Sequence, residues 1–405
     1  MPAAFTKTVV LLVLLAAFGV VLEAPVAARD VGVPRNKWAF TDIALVTAGW
    51  ECSRQGYDVL VDNPCDRFDP RPMNYPRVWL VGAPLGLGGG ATTPLAIVLL
   101  CGFVASLWFL LGRPSAREAL LWIVLLCSPP VLLALERANN DLLIFTLLTV
   151  AIWLTARSSV YIGTAVIGIA AVLKLYPVVA VGVLLRRERQ KWLQAFGVLV
   201  LGFAVYVMAT RHDVALISAG TPNGIAYSFG AGALLDGVAS DKGGVLREIP
   251  IVQGGTVYIA TWALIGVFIV TGSFVLWRVV RPEIDYTAAL GWRADGLLMA
   301  SAVLSTTYLL GHNYDYRLIF TLLAVPQLLV LARSTGAARS VARVALATLA
   351  LTLWASRSIG TSTLPAQFPL DEIANIVLQV LLGWNALMLL ETRLHRSPQR
   401  APMTG

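Results

Sequence analysis

Charge is scarce in this 405-residue sequence: Asp, Glu, Lys and Arg together make up 13% of it. A soluble domain carries about 25%, so a soluble enzyme with an ordinary hydrated surface is excluded. Histidine is almost missing, at three residues, and cysteine occurs four times. No HExxH, CxxC, P-loop or GxGxxG pattern occurs, which removes the motif-borne zinc, phosphate-loop and dinucleotide sites. One short stretch, "YDVLVDNPCDRFDP" from Tyr57, does concentrate aspartate. Its acids do not alternate as in a calcium loop, and they are interleaved with Pro, Asn and Arg as in turns. No metal and no cofactor is expected.

What remains is apolar. The chain is 57% hydrophobic, its mean hydropathy is +0.74, and apolar runs recur from end to end. About 20 residues of helix cross the hydrocarbon of a bilayer, and backbone polar groups in lipid must be satisfied within the segment. The sequence therefore predicts an all-α polytopic membrane protein, a single domain over residues 1–405. About twelve transmembrane helices are expected, near 8–27, 92–112, 118–135, 141–156, 159–173, 176–186, 192–210, 257–277, 295–310, 316–332, 341–356 and 371–391. The first run, preceded by Lys7 and followed by small residues, also has the form of a cleaved signal peptide. A retained helix fits better, because the alternation of loop charges needs it.

The net charge of +8 is spread over short clusters between apolar runs, not gathered on one face, so no nucleic-acid partner is expected. "GRPSAR", "RRERQK", "ARSTGAARSVAR" and "ETRLHRSPQR" are basic connections, whereas "ERANND" and "RSIGTSTLPAQFPLDE" are near neutral or acidic. The positive-inside rule puts the first set and the N-terminus in the cytoplasm. In a bacterial inner membrane the second set then faces the periplasm. Two long segments also fall outside, at about 29–77 and 211–255. The first includes "KWAFTDIALVTAGWECSRQG", which reads as an interfacial helix along the membrane surface. It also holds Cys52 and Cys65, which can close a disulfide in an oxidising compartment. The second, rich in Gly, Ser, Ala and Asp, reads as a loop or lid.

Ionisable residues near membrane depth are costly and so are candidates for function. Four places stand out, all on the outer side. Asp42 in "AFTDIAL" is either a solvated helix-cap acid or a general base that takes a proton from an incoming hydroxyl; Asp58 is the reserve for that role. In "ERANNDLLIF", Asn140 or Asp141 can simply cap a helix, yet Arg137, Asn139 and Asn140 exceed what capping needs and suit sugar hydroxyls or a phosphate. Lys174 in "LKLYP" is either a snorkelling anchor or the countercharge of a lipid-linked phosphate. "GHNYDYR" puts His312, Asn313, Asp315 and Arg317 in one turn, for geometry alone or for proton and phosphate contacts.

These motifs resemble the GT-C superfamily of membrane glycosyltransferases, and within it the polyprenyl-phosphate-mannose-dependent phosphatidylinositol-mannoside mannosyltransferases. "FTDIALVTAGW" followed by "MNYPRVWL" looks like that family's first-loop aspartate and Tyr-Pro pair. "ERANNDLLIF", "LKLYP" and "GHNYDYR" are similar to its later motifs, in the same order. The resemblance implies an inverting transfer of mannose or a similar sugar, from a polyprenyl-phosphate-linked donor to a glycolipid or glycan acceptor at the outer leaflet, among membrane lipids. It implies Asp42 as general base and His312 in support. Arg137 and Lys174 would hold the lipid phosphate, with Tyr75, Asn139, Asn140, Asn313 and Arg317 lining the substrates. Two other readings stay open: a transporter or flippase of lipid-linked sugars, and a polysaccharide polymerase or ligase using Arg211, His212 and Arg247.

Overall fold

The apolar composition is expressed as long helices. The computed structural model describes residues 3–30, 32–34, 38–67, 70–157, 159–221, 228–239, 255–280, 291–355 and 367–394. Arg247, most of the inner connection after Trp277 and most of the outer turn after Ser356 lie outside them. The helices used below are α1 (Ala3–Glu23), α2 (Thr41–Arg54), α3 (Thr92–Leu110), α4 (Ala116–Leu126), α5 (Pro129–Arg137), α6 (Asp141–Arg157), α7 (Val160–Leu173) and α8 (Arg189–Ala209). They continue with α9 (Arg211–Gly220), α10 (Ala231–Ala239), α11 (Gly255–Val279), α12 (Trp292–Leu310), α13 (Val325–Leu331), α14 (Gly336–Ala355) and α15 (Gln367–Leu394).

Among the described residues six helices are long and apolar enough to cross a membrane: α1, α3, α8, α11, α14 and α15. The other expected crossings are shorter or broken. The run expected at 118–135 is the pair α4 and α5, bent by 58°. The bend follows from "CSPP": Pro129 and Pro130 open α5, since proline suits a first helical turn and cannot continue a preceding helix. α6 and α7 have 17 and 14 residues. The "KLYP" segment breaks as expected, with α7 ending at Leu173, Lys174 extended at φ −147° and a 3-10 helix running Tyr176–Arg186. The run at 316–332 is likewise a 3-10 helix, Asp315–Leu323, followed by α13. Among the described residues, six helices, or seven if the bent pair is one span, have the length and composition of a crossing, and the other expected spans are short or broken helices.

Two outer segments also differ from expectation. α2 forms where an interfacial helix was predicted, but every residue from Thr41 to Trp50 is buried, so all but the last turn of this helix is enclosed by protein. The second segment, read as a loop, contains α9, α10 and a strand, Ser228–Phe229. That strand pairs antiparallel with Asn313–Tyr314, Ser228 opposite Tyr314 and Phe229 opposite Asn313. Cys52 and Cys65 form a disulfide with a Cα–Cα separation of 5.6 Å.

The centre of the bundle is an aromatic ladder. Phe103 packs on Phe145 at 5.0 Å, Phe145 on Phe320 at 6.2 Å, and Phe320 edge-on to Tyr176 at 5.8 Å. Edge-to-face and tilted pairs at these spacings add to simple burial. The ladder ends at a tyrosine hydroxyl, and the polar residues gather above it.

Candidate active site

Four chain breaks meet at one end of the bundle: the start of α2, the α5–α6 junction, the break after α7 and the turn after α12. The first two are tied directly, because the Phe40 amide donates to the Glu136 carbonyl at 2.7 Å. Both flanks carry a non-glycine residue in the left-handed region, Phe40 at φ 64° and Ala138 at φ 43°. Such residues persist where surrounding structure holds them and cluster at functional sites. The third joins through Trp79, whose indole N–H donates to the Leu173 carbonyl at 3.0 Å, next to Lys174.

Asp42 is buried at the first turn of α2. Asn139 Nδ2 donates to its Oδ2 at 2.5 Å, and Arg137 and Arg71 stand 3.7 and 3.9 Å from its Oδ1. Asn139 is a bridge: its Oδ1 accepts from the Asp141 amide at 2.8 Å and from Lys174 Nζ at 3.4 Å. Asp141 is the hub beyond it, fully buried. It takes Lys174 Nζ at 2.6 Å and the Tyr176 hydroxyl at 2.6 Å on Oδ1, and Arg317 Nε at 3.4 Å on Oδ2. Arg317 lies over the Tyr176 ring at 4.7 Å and donates to Asn313 Oδ1. Lys174 lies over Tyr75 at 5.4 Å. Burial, with the charge of Asp42 next, pushes the Tyr75 phenol well above its ordinary pKa, so that hydroxyl remains a donor.

Two cavities share a wall. One, of about 670 Å³, is lined by Lys174, Tyr176, Arg317, His312 and Asn313 at its polar end and by apolar residues such as Val179, Phe203 and Val207 elsewhere. The other, of about 30 Å³, holds Asp42, Arg71 and Arg137. Asn74, Tyr75, Tyr314 and Tyr316 line both, and the last two stack at 5.6 Å. Of the charged residues that line the large cavity, Arg77 and Asp213 pair with each other at 3.0 Å, and Lys174 and Arg317 share the single carboxylate of Asp141, fully buried behind the wall, so the polar end carries an unbalanced positive charge. A volume in the range of small-molecule sites, mostly apolar with a few convergent polar groups, is the usual form of a ligand pocket.

His312 Nε2 stands 2.7 Å from Asp236 Oδ2 of α10. The approach is set by glycine: a Cβ at Gly232 would lie 2.8 Å from His312 Nδ1, and one at Gly230, whose φ is 123°, 2.2 Å from the Gly311 carbonyl. "SFGAG" therefore docks against "GHNY" because it has no side chains there.

Of the residues singled out in the sequence, Asp42, Tyr75, Arg137, Asn139, Lys174, His312, Asn313 and Arg317 are brought together. Arg137 belongs to the small cavity beside Asp42, not with Lys174. Asn140 lines neither cavity; it is fully buried, and its carbonyl accepts from Leu143 and Ile144 as α6 begins. Asp58 is at the rim, paired with Arg77 at 2.9 Å, which holds its carboxyl below the usual range. Sequence reasoning missed Asp141 as a hub, having read it as a cap, and missed Tyr176, Arg71 and Asp236. Tyr176 lay inside "LKLYP" and could have been found there; Asp236 carried no signal. Among the described residues no cluster of His, Cys, Asp and Glu could hold a metal ion.

No curated protein and no solved structure matches the chain. The family model "Glycosyltransferase family 87" matches residues 76–306, a span that takes in Arg137, Asn139, Asp141 and Lys174 and stops short of His312. That span is more than half of the sequence, and it includes Asp141, Lys174 and Tyr176 of the charged hub, though not Arg317; this membrane protein with its buried carboxylate network belongs to glycosyltransferase family 87.

Proposed function

We propose that the chain transfers a sugar, mannose or a similar hexose, from a polyprenyl-phosphate donor to a hydroxyl of a glycolipid or glycan acceptor, with inversion. The observation that carries this is the pairing of cavities: an apolar-walled one with a surplus of cations at its polar end, adjoining a small one with a single carboxylate oriented by its neighbours. A lipid phosphate needs the first and an attacking hydroxyl the second.

In this reading the donor phosphate sits against Lys174 and Arg317, with His312 beside it, and its isoprenoid tail follows Val179, Phe203 and Val207. The acceptor oxygen attacks the anomeric carbon while its proton passes to Asp42. The bond from that carbon to the phosphate oxygen breaks, and polyprenyl phosphate leaves with its added negative charge met by the cations. Asn139 and Arg137 hold Asp42 in place, so that its free lone pairs face the small cavity. An outer-leaflet, periplasmic site in a bacterial inner membrane is supported by the loop charges and by the Cys52–Cys65 disulfide, a bond typical of oxidising compartments.

The test is transfer of labelled sugar from polyprenyl-phosphate mannose to extracted lipid by the purified protein. Asp42→Asn should lose activity by about 10²–10⁴-fold, the usual contribution of a general base, while melting as the unaltered protein does. Full activity in that variant would remove Asp42 from the mechanism.

A further inference from the structure

At the opposite end of the bundle a second large cavity, of about 570 Å³, opens among Arg113, Arg157, Arg293, Arg333, Glu118 and Trp292. α6 links the two ends: it starts at Asp141 and finishes at Arg157, about 25 Å away at 1.5 Å per residue. The cavity holds one acid, and that acid is already engaged. Glu118 Oε2 accepts from the Ser115 amide and hydroxyl at 2.8 and 2.9 Å in a capping box, and Oε1 pairs with Arg333. Arg113, Arg157 and Arg293 have no carboxylate partner among the described residues.

Helix ends explain part of this charge. Arg113, Arg157 and Arg333 follow or end α3, α6 and α13, where the helix dipole favours a cation. Arg293 does not fit that account, since it stands in the first turn of α12, where the dipole disfavours one. It is held there by its neighbour, the guanidinium lying over the Trp292 ring at 5.0 Å, and Trp292 in turn packs on Phe109 at 4.4 Å. With Arg333 paired to Glu118, three guanidinium groups around a roomy cavity, one fixed against its helix dipole by an aromatic shelf, leave the cavity with a net positive charge.

We propose that this cavity binds a phosphate anion, presented either by the head group of an anionic phospholipid or by a free phosphate compound. Guanidinium groups match phosphate oxygens in geometry and charge, and basic pockets between membrane helices are where anionic head groups settle. The site is separate from the Asp42 and Lys174 cavities and does not depend on how they work.

Native mass spectrometry of the detergent-purified full chain with phosphatidylglycerol or phosphatidylcholine, and thermal shift with inorganic phosphate, test it. Arg157→Gln with Arg293→Gln alters the cavity; Arg339→Gln with Arg343→Gln removes the same charge from α14, outside it. The cavity pair should lower phosphatidylglycerol binding about tenfold, and the α14 pair should leave it unchanged. Binding of phosphatidylglycerol that phosphate does not displace assigns the site to a lipid. Cavity-dependent stabilisation by phosphate alone assigns it to a free compound. Equal losses in the two variant pairs, or no preference for phosphatidylglycerol over phosphatidylcholine together with no phosphate effect, would overturn the proposal.

Discussion

Two buried aspartates in this protein have the same charge arithmetic and different surroundings. Asp141 is held by Lys174 at 2.6 Å and Arg317 at 3.4 Å; Asp295, in the first turn of α12, is held by Arg186 at 2.6 Å and by Arg187. Each is one carboxylate between two cations. Around Asp141 both cations also line the 670 Å³ cavity, so their surplus charge is available to a ligand. Arg186 and Arg187 line no cavity described above, and their clasp fastens the end of the Tyr176–Arg186 3-10 helix to α12, against which that helix packs. The same triad borders a cavity at one end and fastens two helices at the other, and under the proposed function the adjoining space makes the first a binding device and leaves the second a staple.

Substitution at each clasp separates them. Lys174→Met should lower turnover by about 10²–10³-fold, as loss of one group stabilising developing charge does, with Asp141 still held by Arg317 and Tyr176. Single-turnover transfer by folded protein measures it. Asp295→Asn should do the reverse, removing the fully buried carboxylate that holds Arg186 and Arg187 at a cost of about 3–5 kcal/mol, seen as a large fall in melting temperature, while activity per folded molecule is kept. If Asp295→Asn abolished activity in fully folded protein, the division between device and staple would fail.

The smaller effects concern the scaffold of the outer end. Cys65→Ser opens a cross-link spanning 13 residues, which should cost about 3 kcal/mol; reductant should have the same effect on the unaltered protein and none on the variant. Last comes the rim clasp, where Arg77 pairs with Asp58 and with Asp213 of α9 at 3.0 Å. Asp58 has a folded pKa below its unfolded one, so its contribution is present above the unfolded value and is lost as pH falls through the folded one. Asp58→Asn should therefore cost at most about 1 kcal/mol at neutral pH, as exposed pairs do, and should flatten the acid limb of a stability profile.

The sequence conveyed where charged groups gather better than how the helices are broken. Asp42, Lys174 and the His312–Arg317 turn were legible because a charge among apolar residues is conspicuous whatever its partners. Helix number was less so, because 3-10 segments such as Asp315–Leu323 have the hydropathy of a span without its regularity. The burial of α2 could not be read locally either, since it depends on α5 and on Trp79 from far along the chain; its hydrophobic pattern alone suited a membrane surface. Asp141 was misread for a related reason. An acid before an apolar helix looks like a cap, and its role as a hub follows from Lys174, 33 residues later, and Arg317, 176 residues later. The aspartate-rich loop has an indirect part: Asp66 lies 3.4 Å from Arg71, which neighbours Asp42, and Asp58 fixes Arg77.

The stacked pair Tyr314 and Tyr316 carries a consequence for fidelity. A transferase handling an activated sugar must keep it from water, which is a smaller and more abundant nucleophile than any acceptor. Here the chamber containing Asp42 has about 30 Å³, room for one or two water molecules, and the tyrosines stand between it and the larger cavity. An acceptor that displaces those waters and parts the rings would both admit its own hydroxyl and expel its competitor, making entry itself the proofreading step.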